Sequence, residues 1–293
     1  MQGKADLRCV WDARCLLGEG PLWDDRSETL YFVDIKGDAI CAYDDRNGGW
    51  ISPYPGGPTA LALIEDSDAL LCASGRGLER FCLTNGGRYN GLPPLPLGGG
   101  MRPNDGKCDP VGRFWIGTMD DREERFAGSL FRSDCAGSLV EVLPGIGVSN
   151  GLDWSPDGSL FYFTDSMRRT IWRFRYDRSS GTLTDRQVFA SLDAGEGAPD
   201  GLTVDAEGFV WSAHWDGWRI SRYAPDGSVD RILPVPVPRP TSVAFGGPDL
   251  ATLYVTSARV GLSVAQLDEA PLSGALFACE PGVPGLASHR VRL

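Results

Sequence analysis

Histidine is almost absent from this chain: among 293 residues only His214 and His289 occur. A zinc site of three histidines is therefore excluded, and any triad or histidine general base has to use one of those two. Eight cysteines stand at Cys9, Cys15, Cys41, Cys72, Cys82, Cys108, Cys135 and Cys279, with no C-x-x-C pair and no clustering with histidine. A thiolate metal site needs such spacing. Positive charge is scarce as well, with 28 Lys and Arg against 39 Asp and Glu and a net charge of -11. Without a basic stripe to neutralise phosphates, nucleic acid and anionic membranes are poor partners, and cations or neutral ligands suit the chain better. No apolar run approaches a membrane span, and the polar stretch Met1 to Arg8 lacks the apolar core of a signal peptide. The expected location is the cytoplasm, with cysteines reduced and mostly buried.

What the chain has in excess is punctuation. Its 38 Gly and 21 Pro, 59 of 293 residues, leave little room for long helices. Between them recur short apolar and β-branched runs: Leu30 to Asp34, Leu70 to Ala73, Phe114 to Thr118, Leu160 to Asp165, Val210 to His214 and Leu253 to Ser257. Their spacing of about 40 to 50 residues is a repeat. Tight turns precede most of them, DDRSE from Asp24, DPVG from Asp109, SPDG from Ser155 and DAEG from Asp205, and alternating runs such as Thr170 to Tyr176 and Trp218 to Tyr223 follow. Strand and turn at this period, with no 3.6-residue pattern between, predict an all-β fold. The architecture expected is a six-bladed β-propeller of four-stranded antiparallel blades, with residues 1–293 forming one domain. A solenoid of β-arches repeats at roughly 20 to 30 residues, which is too short. Ring closure requires both ends to share a blade, so Leu7 to Ala13 is expected to add a strand beside Ala275 to Cys279.

Aligning the units on their first turn and counting back five residues from Asp24, Asp109, Ser155 and Asp205 reaches Glu19, Asn104, Asn150 and Asp200. The two units with looser register give Ala60 and Ser242. With the first strand of each blade innermost, all six positions lie at one mouth of the central channel. Asn and Asp before Gly are common turn formers, but their shared register across units is harder to assign to turns alone. Two carboxylates and amide oxygens around one axis repel one another unless a cation sits between them, and such a set suits a divalent ion.

Other signals are weaker. The segment GVSNG, 147–151, matches a nucleophile elbow, but a strand and a turn follow Ser149 where that motif requires a helix. His214 reads as a packed or hydrogen-bonded strand residue. The turn DWSPDG lacks the spaced oxygens and late Glu of an EF-hand. Alternating Trp and Tyr read as blade core.

The blocks LGEGPLW at 17–23, RPNDGKCDPVGRFWIGTM at 102–119, SNGLDWSPDG at 149–158, PDGLTVDAEGFVW at 199–211 and FGGPDLATLYVTSAR at 245–259 resemble the SMP-30/gluconolactonase family, also called the regucalcin family. They run across nearly the whole chain, and the look is nearest to bacterial sugar lactonases such as xylonolactonase. The resemblance implies a six-bladed propeller with one divalent ion (Ca²⁺, Zn²⁺, Mn²⁺, Mg²⁺ or Fe²⁺) held by Glu19, Asn150 and Asp200. It further implies Arg102 and Asn104 on the sugar hydroxyls, together with an acidic residue after the GTM block. Asp120 and Asp121 both follow Met119, and Asp121 is the one taken. The activity implied is hydrolysis of a small neutral sugar lactone, with the metal as Lewis acid and Asp200 as general base. The alternative is a non-enzymatic calcium-binding or regulatory propeller. A monomer or weak dimer is expected.

Overall fold

In the computed structural model, which describes residues 6–134 and 138–293, each recurring run becomes the second strand of an antiparallel sheet. These strands, Thr29–Asp34, Leu70–Ser74, Phe114–Asp120, Leu160–Asp165, Val210–Trp215 and Thr252–Ser257, are buried along almost their whole length. A strand covered on both faces has no solvent side, so its sequence is a continuous apolar run rather than an alternation. The first strands of blades 1 to 6 are Gly18–Asp24, Pro58–Ile64, Met101–Cys108, Ser149–Trp154, Ala198–Val204 and Pro240–Gly246. Each touches the first strands of both neighbouring blades, and blade 6 meets blade 1, so the six line a central axis. Outermost strands such as Gly48–Pro53 and Val229–Pro234 are largely exposed. The protein is a six-bladed β-propeller.

Aromatic side chains fill the space between blades, as their alternation predicts. Trp115, Trp154, Phe161 and Tyr176 of blades 3 and 4 pack with ring centroids 5.2 to 6.1 Å apart, each pair adding roughly 0.5–1.5 kcal/mol beyond the area it buries. The D-x-x-G turns have a second use. Asp109 accepts hydrogen bonds from the backbone of Val111 and Arg113 and from the side chains of Arg113, Trp115 and Tyr176. Asp205 repeats the device in blade 5 with Glu207, Phe209, Trp211 and Arg222. Burial pushes the Asp109 carboxyl up, but these donors outweigh it and hold the group below the ordinary range.

Ring closure follows the expectation, since Arg8–Trp11 pairs antiparallel with Leu276–Cys279 in blade 6. One sheet departs from four strands. Arg290–Val291 adds a fifth to blade 2, parallel to Pro58–Ile64. Two residues are too few to leave a pattern in the sequence. They are held by the Glu65 N–H on the Val291 carbonyl at 2.9 Å and the Arg292 N–H on the Gly112 carbonyl at 3.0 Å. The seven described cysteines are free and five of them are buried, while Cys135 lies outside the described residues. Among the described residues no helix is long and apolar enough to cross a membrane.

Candidate active site

In all six first strands the pairing register slips by one residue near the same end. Such a bulge re-aims side chains out of the ladder. Asn104, Asn150 and Asp200 lie within the bulges of blades 3, 4 and 5, and Glu19 directly precedes that of blade 1. In blades 2 and 6 the bulged residues are Thr59 and Thr241, one position earlier than the expected Ala60 and Ser242. Those two blades lack a first turn of the DDRSE, DPVG, SPDG or DAEG kind from which to count. Glycine follows Asn150 and Asp200 because the strands nearly touch at the axis. A Cβ on Gly151 would stand 2.3 Å from the Leu202 nitrogen, and one on Gly201 would stand 2.0 Å from the Ser242 hydroxyl. Two further carboxylates set the approach of the strands. Asp34 accepts from the Leu16 and Leu17 N–H groups, both at 2.9 Å, just before Glu19. Asp165 does the same for Gly147 and Val148 before Asn150.

Glu19, Arg102, Asn104, Asn150 and Asp200 open onto one cavity of about 190 Å³. A chain of hydrogen bonds orients the polar set. Arg102 donates from Nε to Asp121 at 2.8 Å and from Nη1 to Asn104 Oδ1 at 2.6 Å. Asn104 Nδ2 donates to the Ser149 carbonyl at 2.8 Å and to Asn150 Oδ1 at 3.3 Å. Asn150 in turn donates at 3.0 Å to the Ser166 hydroxyl, which donates to the Pro199 carbonyl at 2.6 Å. With its NH₂ committed to Ser166, the Asn150 amide oxygen is left on the side of Asn104.

The two carboxylates are poorly satisfied. Asp200 Oδ1 is buried without a hydrogen-bond partner, and Glu19 accepts from the neighbouring Gly20 N–H at 3.1 Å. Burial pushes Glu19 up to about 8, with Asp105 adding to the effect, and it pushes Asp200 well above the carboxylate range with help from Glu19, Asp105 and Glu123. Buried like charges of this kind call for a cation. Among the described residues no three His, Cys, Asp or Glu side chains cluster closely enough to hold a metal. An ion at this place therefore depends on amide oxygen, and the orphaned Asp200 oxygen, Glu19 and Asn150 fit a hard divalent cation.

Asp121 is half exposed and pairs with Arg102 and, at 3.5 Å, with Lys36, while Asp120 is buried and taken by Arg125 and the Glu124 N–H. Asp121 thus meets the site through Arg102, and the acidic residue after the GTM block that lines the cavity is Glu123. Glu123 and Ser166 were missed in the sequence. Both lie in connections between strands, where the repeat carries no positional signal. His214 is fully buried between the Glu196 carbonyl and the Tyr223 hydroxyl and does not line the cavity, whereas Trp215 does. Ser149 Oγ is buried, has no partner and stays outside the cavity, which removes the nucleophile elbow. A larger cavity of about 330 Å³ lies toward the other ends of the same six strands, beside Lys107, Asp153 and His289, and is lined by none of Glu19, Arg102, Asn104, Asp121, Asn150 and Asp200.

The family model described as SMP-30/Gluconolactonase/LRE-like region matches residues 17–259, which carry every side chain lining the smaller cavity. The chain belongs to this family. It is 38% identical over 300 residues to the L-arabinolactonase of Azospirillum brasilense, covering 98% of this chain and 95% of that one. It is 37% identical over 250 residues to a pentonolactonase of Haloferax volcanii, covering 85% and 84%. Among solved structures, a calcium-binding protein, regucalcin, from Agrobacterium tumefaciens superimposes with a TM-score of 0.92 at 32% identity, over 99% of this chain and 98% of that one. Family membership fits the axial register counted from the turns.

Proposed function

We propose that this chain is a carboxylic-ester hydrolase that opens a sugar-acid lactone, an aldonolactone such as xylonolactone or gluconolactone, to the aldonic acid. The observation that carries this reading is a partner-free, buried carboxylate oxygen on Asp200 in one cavity with Arg102, Asn104 and Asn150. Relatives named as sugar lactonases support it. The cavity, about 190 Å³ and open to solvent on one side, is of a size to admit a small sugar ring. Glu19, Asn150 and Asp200 would hold one divalent ion, which supplies Lewis-acid polarisation of the lactone carbonyl when bound. The donor set suits Ca²⁺, Mg²⁺ or Mn²⁺ and also admits Zn²⁺ or Fe²⁺.

The chain's own residues do the rest. Asp200 accepts the proton from the attacking water on its carboxylate. The water oxygen bonds to the carbonyl carbon, the ring C–O bond breaks, and the proton passes to the departing ring oxygen. Arg102 presents donors from Nη2 and Asn104 the remaining lone pair of its amide oxygen to the ring hydroxyls, with Asp121 holding Arg102 in place. Glu123 adds an acceptor at the wall. We take residues 1–293 as one domain and place the protein in the cytoplasm, in keeping with its free thiols, as a monomer or weak dimer.

A pH-drop assay on freshly made aldonolactones tests the reading. Wild type should release acid from at least one of them, and Asp200→Asn should lose at least about a hundredfold while remaining folded. Full activity in that variant would remove Asp200 from the reaction. The second reading, a calcium-binding regulatory propeller, is favoured by the oxygen-only donor set and by the similarity to a calcium-binding regucalcin. It requires tight calcium binding by a protein that turns over no lactone in the same panel.

A further inference from the structure

The hydrogen-bonding groups of the cavity read the edge of a sugar ring, where its hydroxyls are, but a lactone ring also has C–H faces that no polar group holds. Trp215 is the aromatic side chain among the described residues lining the cavity. Its ring is covered by the Arg239 guanidinium, whose carbon lies 4.6 Å from the ring centre. Arg239 is fixed in turn, donating to Asp216 Oδ1 at 2.6 Å and to the Val260 carbonyl. The turn carrying the indole is held in an uncommon backbone shape, with Asp216 and Trp218 both at φ 57°. Such strain persists where surroundings over-determine it. Here the Trp218 carbonyl accepts from Val235 at 2.8 Å, the Gly217 N–H donates to the His214 carbonyl at 2.9 Å, and Asp216 is clamped by Arg239.

We propose that Trp215 is a stacking platform for the C–H face of the lactone ring, and that Arg239 is a positioning residue that holds the indole against the cavity. The proposal rests on the lactonase reading and adds the apolar half of substrate recognition to it. A flat indole accepts ring lactones of differing hydroxyl configuration, so it contributes affinity for the ring itself while Arg102 and Asn104 discriminate among sugars.

Steady-state kinetics on two aldonolactones of different configuration tests this. Trp215→Ala should raise KM roughly three- to tenfold for both substrates, with kcat falling less than KM rises, and Trp215→Phe should recover most of the loss. Arg239→Met, which keeps Trp215 but removes the guanidinium that holds its ring, should raise KM by a smaller factor, and Arg239→Lys should restore it. If Trp215→Ala fails to fold, the Arg239 pair carries the same test. An unchanged KM in a folded Trp215→Ala, or a loss confined to kcat that Trp215→Phe does not recover, overturns the platform while leaving the lactonase reading standing. A wild-type protein that turns over no lactone in the panel removes both.

Discussion

Lowering the pH should destabilise the folded protein through one histidine. His214 is the penultimate residue of the second strand of blade 5, fully buried, with Nδ1 2.9 Å from the Glu196 carbonyl and Nε2 3.3 Å from the Tyr223 hydroxyl. With Nδ1 donating to that carbonyl, Nε2 accepts from Tyr223, and the neutral ring is satisfied at both nitrogens. Arg219 Nε also stands 3.3 Å from Nδ1, and the Glu196 carboxylate that faces the ring is already paired with Arg219 at 2.6 Å. Burial, with Arg219 adding, therefore pulls the imidazole down from 6.5 to about 4. Between those values the unfolded chain binds a proton that the folded protein refuses, so stability is lost as pH falls from 6.5 to 4. The gap corresponds to about 3 kcal/mol. His214→Phe preserves a ring over Tyr223 and removes the titration. Its cost at neutral pH, about 1–3 kcal/mol for the unpaired Glu196 carbonyl and Tyr223 hydroxyl, does not vary over this range. Urea unfolding at steps from pH 7 to 4 should show the stability advantage of wild type over His214→Phe shrinking by about 3 kcal/mol. Parallel curves would refute the reasoning.

Two further outcomes are expected. Gly151→Ala places a methyl 2.3 Å from the Leu202 nitrogen and 2.7 Å from the Asp200 carbonyl. Thermal unfolding should register about 1–3 kcal/mol of lost stability, and kcat/KM should fall by more than that implies, because Asp200 itself is displaced. Deleting residues 1 to 12 removes the Arg8–Trp11 strand of blade 6 and Trp11, whose ring meets Phe32 at 5.8 Å in blade 1. Scanning calorimetry should show the whole protein melting earlier in one transition, whereas an unchanged melting temperature would mean that the ring does not depend on this closure.

How much of this could be read from the sequence depended on burial and on the turns. The second strands are covered on both faces, so runs such as Phe114–Asp120 announce themselves as apolar. Outer strands such as Arg88–Leu92, half in solvent and containing Asn and Gly, carry no such pattern. The D-x-x-G turns acted as a ruler because Asp109 and Asp205 fix a constant geometry between turn and strand, and counting from them reached Asn104 and Asp200. In blades 2 and 6, which lack any of the recurring first turns, the count fell one residue late, on Ala60 and Ser242 instead of Thr59 and Thr241. Glu123 and Ser166 enter the cavity from connecting segments, whose paths the repeat does not encode. Asp121 was legible as a residue after the GTM block, but its contact with Arg102 and Lys36 rather than the cavity depends on three-dimensional packing.

The proposed function calls for a divalent ion at the mouth of the channel, where the chain offers oxygen ligands and almost no histidine. The direct measurement is acid release from an aldonolactone by protein stripped with a chelator and then reconstituted separately with Ca²⁺, Mg²⁺, Mn²⁺, Zn²⁺ and Fe²⁺. Activity should vanish on stripping and return with at least one ion in wild type, but not in Asp200→Asn. Stripped protein that opens the lactone at the original rate would contradict the account.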